Sequence, residues 1–139
     1  MKVREIMHKG VTWAEADTPI SEIARRMRDE DVGSIPVGKD DRLIGMVTDR
    51  DIACRAVANG RDMSALKARD VMTEGIAWCR DDMDVKEAVH LMEEKKIRRL
   101  PVIDGGKRMI GMLALGDISH GAGQKLCGEM VSAVTAHHA

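Results

Sequence analysis

A run of nine residues reads Ile44-Gly45-Met46-Val47-Thr48-Asp49-Arg50-Asp51-Ile52, and the chain later reads Ile110-Gly111-Met112-Leu113-Ala114-Leu115-Gly116-Asp117-Ile118. Both runs have a glycine inside a short apolar stretch, followed by an aspartate and an isoleucine. Self-similarity of this kind indicates that one structural unit is written twice. The differences between the two copies are therefore informative about function.

The repeat extends outward from these two runs. Trp13 and Trp78, the only Trp, Tyr or Phe residues of the chain, are related by a shift of 65 positions (78 − 13). The same shift superposes Ile35-Pro36-Val37 on Leu100-Pro101-Val102, and one extra residue near Gly105 precedes the second run. Each half alone would bury a marginal core, so we expect the two halves to pack on each other as one module.

Composition narrows the class of protein. The formal charge of -1 argues against a broad attraction to nucleic acid or to an anionic membrane. The chain has neither a long apolar run nor a signal-peptide core, so we expect a cytoplasmic protein. Cys54, Cys79 and Cys127 are odd in number and widely spaced, which is typical of reduced structural thiols.

Each half is predicted to fold in the order strand, helix, strand, strand, helix. In the first half, residues 11–13 are the first strand candidate, and Thr18 is predicted to cap a helix with Pro19 at its first position. Spacing i, i+3, i+4, i+7 predicts an apolar face on this helix, formed by Ile20, Ile23, Ala24 and Met27.

Two further strands and a second helix complete the first half. Residues 34–37 and 43–48 flank a polar turn at 39–42 and predict a hairpin. A helix is predicted from Asp49 to a stop at Asn59-Gly60. Its inward side chains are predicted to be Ile52, Ala53 and Ala56.

The second half repeats this order. Asp84 and Glu87 have capping-box spacing. Strands are predicted at 100–103 and 109–113, and a helix is predicted near Asp117. Gly121-Ala122-Gly123 then interrupts the helix, and residues 124–138 form an amphipathic pattern. The predicted apolar faces are Val85, Ala88, Val89 and Met92 in the first helix, and Leu126, Met130, Val131 and Val134 in the last.

The run at 45–52 resembles the closing motif of a CBS domain: a glycine, a hydrophobic strand, a Thr or Ser, two residues, and then Asp with an aliphatic residue. Arg4-Glu5-Ile6-Met7 and Ser34-Ile35-Pro36-Val37 support the resemblance in the first half. Arg69-Asp70-Val71-Met72 and residues 97–102 repeat these signals. In order and twice, they cover residues 2–120, so the chain resembles a tandem CBS pair, or Bateman module, of the small bacterial kind.

The resemblance implies an α/β (α+β) fold of two pseudo-two-fold-related β-α-β-β-α repeats, packed through their sheets, and the amphipathic pattern adds a C-terminal helix. The predicted boundaries are 1–60 for the first repeat, 61–66 for a connection, 67–120 for the second repeat and 121–139 for the C-terminal helix. The resemblance also implies two clefts for adenine-containing ligands and dimerisation into a flat disc. Because the sequence begins and ends with the module, we expect a stand-alone protein and not a fragment of an enzyme such as IMP dehydrogenase.

Thr48 and Asp51 are the central candidates for ligand binding. Thr48 ends a predicted strand and Asp51 lies in the first turn of the next helix, so both side chains face one spot. A carboxylate can accept hydrogen bonds from both hydroxyls of a ribose, and a hydroxyl beside free helix amides suits a phosphate. In the family, Asp binds the ribose diol and Thr or Ser supports the ribose-phosphate. The alternative is that both residues only cap the helix.

The resemblance implies that each cleft is shared by the two repeats. In the main cleft, Met46, Ile76 and Ile97 would sandwich the base, and Arg98, helped by Arg50, would reach the phosphates. The alternative is that the arginines are solvated surface residues. The full set predicted for the main cleft is Met46, Thr48, Arg50, Asp51, Gly75, Ile76, Ala77, Ile97, Arg98 and Arg99.

The second cleft departs from the family pattern. Ala114 replaces the Thr or Ser, Gly116 replaces a side chain, and Gly33-Ser34 replaces the arginine pair. We expect this cleft to be weak, empty or suited to a nucleoside-like ligand. The residues predicted for it are Val11, Thr12, Val32, Gly33, Ser34, Met112, Ala114 and Asp117.

The predicted function is that of a non-catalytic sensor, because no phosphate-binding glycine loop, nucleophile elbow or spaced metal-ligand set is present. We expect an adenine nucleotide (AMP, ADP or ATP, ahead of NADH or S-adenosylmethionine) as regulatory ligand, no required cofactor, a homodimer and an unidentified protein partner. His137-His138 has no spaced partners for a metal site. The alternative is a constitutive interaction protein with vestigial clefts. For Trp13 and Trp78, base stacking and interface contacts both stay open.

Overall fold

The computed structural model describes residues 1–121 and 123–135. Over these residues the chain forms two four-stranded sheets with flanking helices and a C-terminal helix, which confirms the predicted mixed α/β class. The helices are α1 (Val3–Ile6), α2 (Ile20–Glu30), α3 (Asp49–Asp51) with its continuation as a π-helix (Ile52–Val57), α4 (Ala68–Val71), α5 (Val85–Lys95), α6 (Leu115–Gly121) and α7 (Gln124–Val134). The strands are β1 (His8–Lys9), β2 (Ala14–Glu15), β3 (Ser34–Lys39), β4 (Arg42–Thr48), β5 (Thr73–Glu74), β6 (Cys79–Arg80), β7 (Arg99–Ile103) and β8 (Met109–Ala114).

The chain divides into two compact units that do not coincide with the sequence repeats. The continuous unit is Thr12–Ile76 and contains the sheet β2-β3-β4-β5. The discontinuous unit joins Met1–Val11 to the described residues from Ala77 onward and contains the sheet β1-β8-β7-β6. The segment that starts each repeat therefore lies on the sheet of the other repeat. In register, Met112 of β8 faces His8 of β1, and Met46 of β4 faces Thr73 of β5.

Each unit has its own apolar core, to which the predicted helical faces and the longer strands both contribute. On α5 the four predicted residues are all buried. On α2, Ile20, Ile23 and Met27 are buried, but Ala24 is exposed. Ala24 lies at the edge of the apolar face, where a single methyl group is too short to be covered, so this core assignment was wrong. The short helices α4 and α1 also contribute, through Val71 in the continuous unit and Val3 in the discontinuous unit.

The beginning of the first repeat differs from the prediction. Residues 11–13 form no strand, because Gly10 turns the chain at a φ of 72° and the short strands β1 and β2 lie on either side. The helix α2 begins at Ile20 with Pro19 in the capping position. The Thr18 hydroxyl instead accepts a hydrogen bond from the Glu15 N–H at 3.1 Å, so it closes the turn after β2.

Both predicted hairpins are confirmed, and Asp40 and Asp41 turn the first one with φ values of 52° and 64°. The helix after β4 starts at Asp49 as predicted but continues as a π-helix. Its i→i+5 bonds, such as Ala58 N–H to the Ala53 carbonyl at 2.9 Å, change the helical period. As a result Ala56 is buried whereas Ala53 is exposed, which corrects the predicted inward position of Ala53.

The second half needs smaller corrections. The Asp84 carboxylate caps α5 through the Lys86 N–H at 2.9 Å, and the described contacts contain no reciprocal bond from Glu87. The helix α6 starts at Leu115, two residues before the predicted start. On α7, Leu126 packs against the core of the discontinuous unit, whereas Val131 is exposed, contrary to prediction.

The predicted contributions of the Met130 and Val134 side chains, and the His137-His138 pair, lie outside the described residues. Among the helices of residues 1–121 and 123–135, none is long and apolar enough to cross a membrane.

Candidate functional site

The end of β4 and the start of α3 place the two central candidates beside each other. The Thr48 hydroxyl accepts a hydrogen bond from the Asp51 N–H at 3.0 Å, and the Asp51 Oδ2 accepts one from the Thr48 N–H at 2.9 Å. This reciprocal pair is a capping box in which an aspartate stands at the third helical position. The two side chains are therefore held at the exit of β4, as the sequence predicted.

The second carboxylate oxygen of Asp51 faces two groups that the sequence prediction missed. The Thr73 hydroxyl donates to Oδ1 at 3.5 Å, and the Arg55 Nε lies 3.7 Å from the same oxygen. The Asp51 side chain is 13% exposed. Thr73 reaches Asp51 because β5 pairs with β4, and this pairing comes from a strand of two residues that no periodic pattern reveals.

Met46, Gly75 and Ile76 lie in the same continuous unit as Asp51. Met46 is buried on β4 directly opposite Thr73, so Gly75 and Ile76 follow at the end of the neighbouring strand. Gly75 has a φ of 63°, a conformation that disfavours residues with a side chain. Arg50 is exposed on α3.

The other residues predicted for the main cleft lie in the discontinuous unit. Ala77 and Ile97 are half-buried against the core of that unit. Arg98 and Arg99 are exposed; the Arg98 carbonyl accepts from the Leu115 N–H at 3.1 Å, and Arg99 pairs with Ala114. Their place in one cleft with Asp51 stays a prediction.

The second copy of the motif retains half of the capping arrangement. The Asp117 Oδ2 accepts a hydrogen bond from the Ala114 N–H at 2.8 Å, as Asp51 does from Thr48. Ala114 has no hydroxyl to return the bond, and Gly116 faces open space. Met112 is buried on β8, opposite His8, so a histidine stands where the first copy has Thr73.

The remaining residues predicted for the second cleft are divided between the units. Val11 belongs to the discontinuous unit, and the other four belong to the continuous unit. There the Thr12 hydroxyl donates to Glu30 at 2.6 Å, and the Gly33 carbonyl accepts from the Asp49 N–H at 3.0 Å. Ser34 is buried and pairs with Thr48 across β3 and β4, and Val32 is 42% exposed.

The two tryptophans have different environments. A Cβ atom at Gly38 would overlap the indole of Trp13, so this ring packs directly on the β3 backbone. The Trp13 carbonyl also accepts a hydrogen bond from Arg26 at 3.2 Å. Trp78 is 46% exposed. The duplicated tryptophan is thus half-buried against β3 in the first copy and a surface residue in the second.

The family profile of the CBS domain matches residues 3–56 and 68–121, which together are most of the chain. The chain belongs to the CBS-domain family. In family terms, each compact unit combines most of one CBS domain with the first helix and strand of the other. This exchange explains why Thr73, from the second CBS domain, contacts Asp51 of the first.

Relatives of this CBS-domain protein include one small protein of similar length and one that is longer. Hypoxic response protein 1 of Mycobacterium tuberculosis is 36% identical over 84% of this chain and 81% of its own. Uncharacterized protein MK0525 of Methanopyrus kandleri is 35% identical over 85% of this chain, which spans 61% of the length of that relative.

Solved structures of CBS-domain proteins superpose on the chain. Hypoxic Response Protein I with two coordinated zinc ions has a TM-score of 0.81 at 34% identity, covering 88% of this chain and 100% of its own. CBSX2 in complex with AMP has a TM-score of 0.75 at 25% identity, covering 87% and 95%. The CBS pair of MJ0100 with 5′-methylthioadenosine and S-adenosyl-L-methionine has a TM-score of 0.77 at 25% identity, covering 86% and 94%. In this chain, the described residues contain no group of three His, Cys, Asp or Glu that could hold a metal ion.

Proposed function

We propose that this CBS-domain protein is a non-catalytic regulatory module that binds an adenine nucleotide, with Asp51 on the ribose diol and Thr48 at the ribose-phosphate. The main support for this proposal is the environment of the Asp51 carboxylate. It is fixed by the Thr48 N–H, mostly shielded from solvent, and aligned with the strand end that leads to Gly75 and Ile76. An ionised carboxylate has about four acceptor positions, so it can still accept from two ligand hydroxyls.

The ligand class is supported by the bound ligands of similar proteins. AMP in CBSX2, and methylthioadenosine and S-adenosyl-L-methionine in MJ0100, all contain adenosine with a free ribose diol. Met46 and Ile76 are the proposed base contacts from the continuous unit, with Arg50 near the phosphates. For Ala77, Ile97, Arg98 and Arg99 the nucleotide-binding role remains a prediction from the family resemblance. The ligand would act by favouring the conformation that binds it better, and so change contacts with a second copy or a protein partner.

The second motif is proposed to bind more weakly. Asp117 keeps its position through the Ala114 backbone, so it could still accept from a ribose. Ala114 and Gly116 supply neither a hydroxyl nor a cation for the phosphates. We therefore propose that nucleotide affinity resides chiefly in the first motif.

A second candidate function, a constitutive interaction protein, is favoured by one observation. The reciprocal bonds of Thr48 and Asp51 satisfy a helix N-terminus without any ligand, and Asp117 makes the same bond where no threonine is present. Under this candidate the aspartates have only a capping role.

Calorimetry on the full chain separates the two candidates. The titrants are AMP, ADP, ATP, NADH and S-adenosylmethionine, and the variants are Asp51→Asn and the matched Asp117→Asn, which alters the equivalent cap. The sensor predicts that at least one adenine compound binds, that Asp51→Asn weakens it by about 10-fold to 100-fold, and that Asp117→Asn changes it less than about twofold. Absence of binding to the folded wild type would leave the interaction protein as the function.

A further inference from the structure

Arg55 is placed to control how Asp51 is presented. It lies one turn after Asp51, on the π-helix, and its Nε approaches the Asp51 Oδ1 at 3.7 Å. Its Nη1 donates to the Met72 carbonyl at 3.0 Å and to the Val71 carbonyl at 3.4 Å. One guanidinium therefore joins the candidate ribose-binding carboxylate to the segment that enters β5.

The segment held by Arg55 leads directly to other candidate ligand contacts. Met72 is followed by Thr73, whose hydroxyl shares the Asp51 Oδ1 with Arg55, and then by Gly75 and Ile76. A planar guanidinium with several donors suits this bridging, whereas a lysine ammonium cannot reproduce its fixed geometry. Because the Arg55 side chain is half-exposed and its Nε is 3.7 Å from the carboxylate, the ion pair contributes little to stability, and the position of Arg55 matters more than the strength of the pair.

The second repeat has no equivalent of this link. At the position of Arg55 it has Gly121, by the shift of 66 residues that relates Asp51 to Asp117. A Cβ atom at Gly121 would meet the Ile6 side chain at 2.6 Å, so an apolar contact replaces the arginine bridge. Among the described residues, the arginine bridge is found at the motif that retains the threonine.

We propose that Arg55 is a positioning residue for ribose recognition: it orients the Asp51 carboxylate and fixes the 72–76 segment beside it. This inference rests on the proposed nucleotide function, and it adds that selection for a ribose with both hydroxyls depends on a residue that does not itself touch the ligand. Thr73 shares in this role through its hydroxyl.

The test compares Arg55→Ala with Arg61→Ala in the full chain. Arg61 is a matched control because it also donates to a carbonyl of α4, from its Nη1 to Asp70 at 3.3 Å. Its described bonds do not include Asp51. AMP and 2′-deoxy-AMP are titrated into each folded variant. We expect Arg55→Ala to weaken the binding of AMP about tenfold and the binding of 2′-deoxy-AMP by less than about twofold. Arg61→Ala should change neither affinity.

Two further variants keep the test decisive. Arg55→Gln replaces Arg55→Ala if the latter does not fold, and Arg55→Ala in an Asp51→Asn background should have no additional effect on AMP binding. Equal losses for AMP and 2′-deoxy-AMP, or equal effects of Arg55→Ala and Arg61→Ala, would overturn the positioning role while the nucleotide function stands. If the wild type binds no adenine compound, the proposed function fails, and this inference fails with it.

Discussion

Thr48 and Asp51 exchange two hydrogen bonds, of 3.0 Å and 2.9 Å, across the start of the helix that follows β4. Asp117 makes the equivalent bond to the Ala114 N–H at 2.8 Å, but Ala114 cannot return it. At this cap the two motifs therefore share the Asp-to-backbone bond and differ by one hydroxyl. This difference separates the structural contribution of the motif from its proposed binding role.

The missing hydroxyl can be restored by Ala114→Ser. We expect this substitution to raise the free energy of unfolding by about 1 kcal/mol, because the serine would accept from the Asp117 N–H, and Thr48→Ala to lower it by a similar amount. Urea denaturation of the full chain measures both. If both variants unfold at the wild-type midpoint, the capping bonds do not contribute to stability.

The close contact between the Trp13 ring and Gly38 predicts a second effect on stability. Gly38→Ala should lower the free energy of unfolding by about 1–3 kcal/mol, because the new methyl group overlaps the indole. Gly128→Ala is the control, because a Cβ at Gly128 meets nothing within 4 Å. Adding Trp13→Ala should remove most of the effect of Gly38→Ala.

The tryptophan emission gives an independent check on these environments. In a Trp78→Phe background the Trp13 emission should shift when Gly38→Ala is introduced. In a Trp13→Phe background the emission of the exposed Trp78 should be readily quenched by acrylamide and insensitive to Gly38→Ala. Equal quenching of the two tryptophans would contradict the assigned packing.

The sequence predicted the features that repeat locally and missed those made by distant segments. The face of α5, the face of α2 apart from Ala24, the two hairpins and the Thr48-Asp51 pair follow from periodicity and short-range capping rules. The contact between Thr73 and Asp51 does not, because it requires a two-residue strand to cross from one repeat to the sheet of the other. The exposure of Ala53 was missed because a π-helix changes the period on which the prediction rests.

Cys79 predicts a pH dependence of stability. Burial, the larger cause, and the charge of Asp81, the smaller one, raise the pKa of its thiol to about 12. The pKa of a cysteine in an unfolded chain is about 8.5. Between these values the folded protein retains a proton that the unfolded chain releases. The stability contributed by the neutral thiol is therefore complete below about pH 8.5 and decreases as the pH rises toward 12.

Urea denaturation between pH 7.5 and 10.5 measures this contribution. Cys79→Ala should reduce the alkaline decrease in the free energy of unfolding by up to about 1.4 kcal/mol per pH unit. Cys54 is exposed and serves as the control, so Cys54→Ala should retain the wild-type slope. Identical slopes for the two variants would show that Cys79 ionises equally easily in both states.

The exchange of starting segments makes a prediction about fragments. Residues 12–76 contain a complete sheet, and their core includes Leu66, Ala68 and Val71 from beyond the first CBS domain. A fragment of residues 1–60 lacks these side chains, and the edge of its β4 has no β5 to pair with. Its Val3 also lacks the core of the discontinuous unit, in which it is buried in the full chain. Because a chain of about 60 residues is only marginally stable, we expect the loss of these contacts to be decisive. Fragment 12–76 should show a cooperative thermal transition by circular dichroism, and fragment 1–60 should not. If fragment 1–60 unfolds with the same midpoint, the sequence repeat is the folding unit and the compact unit is not.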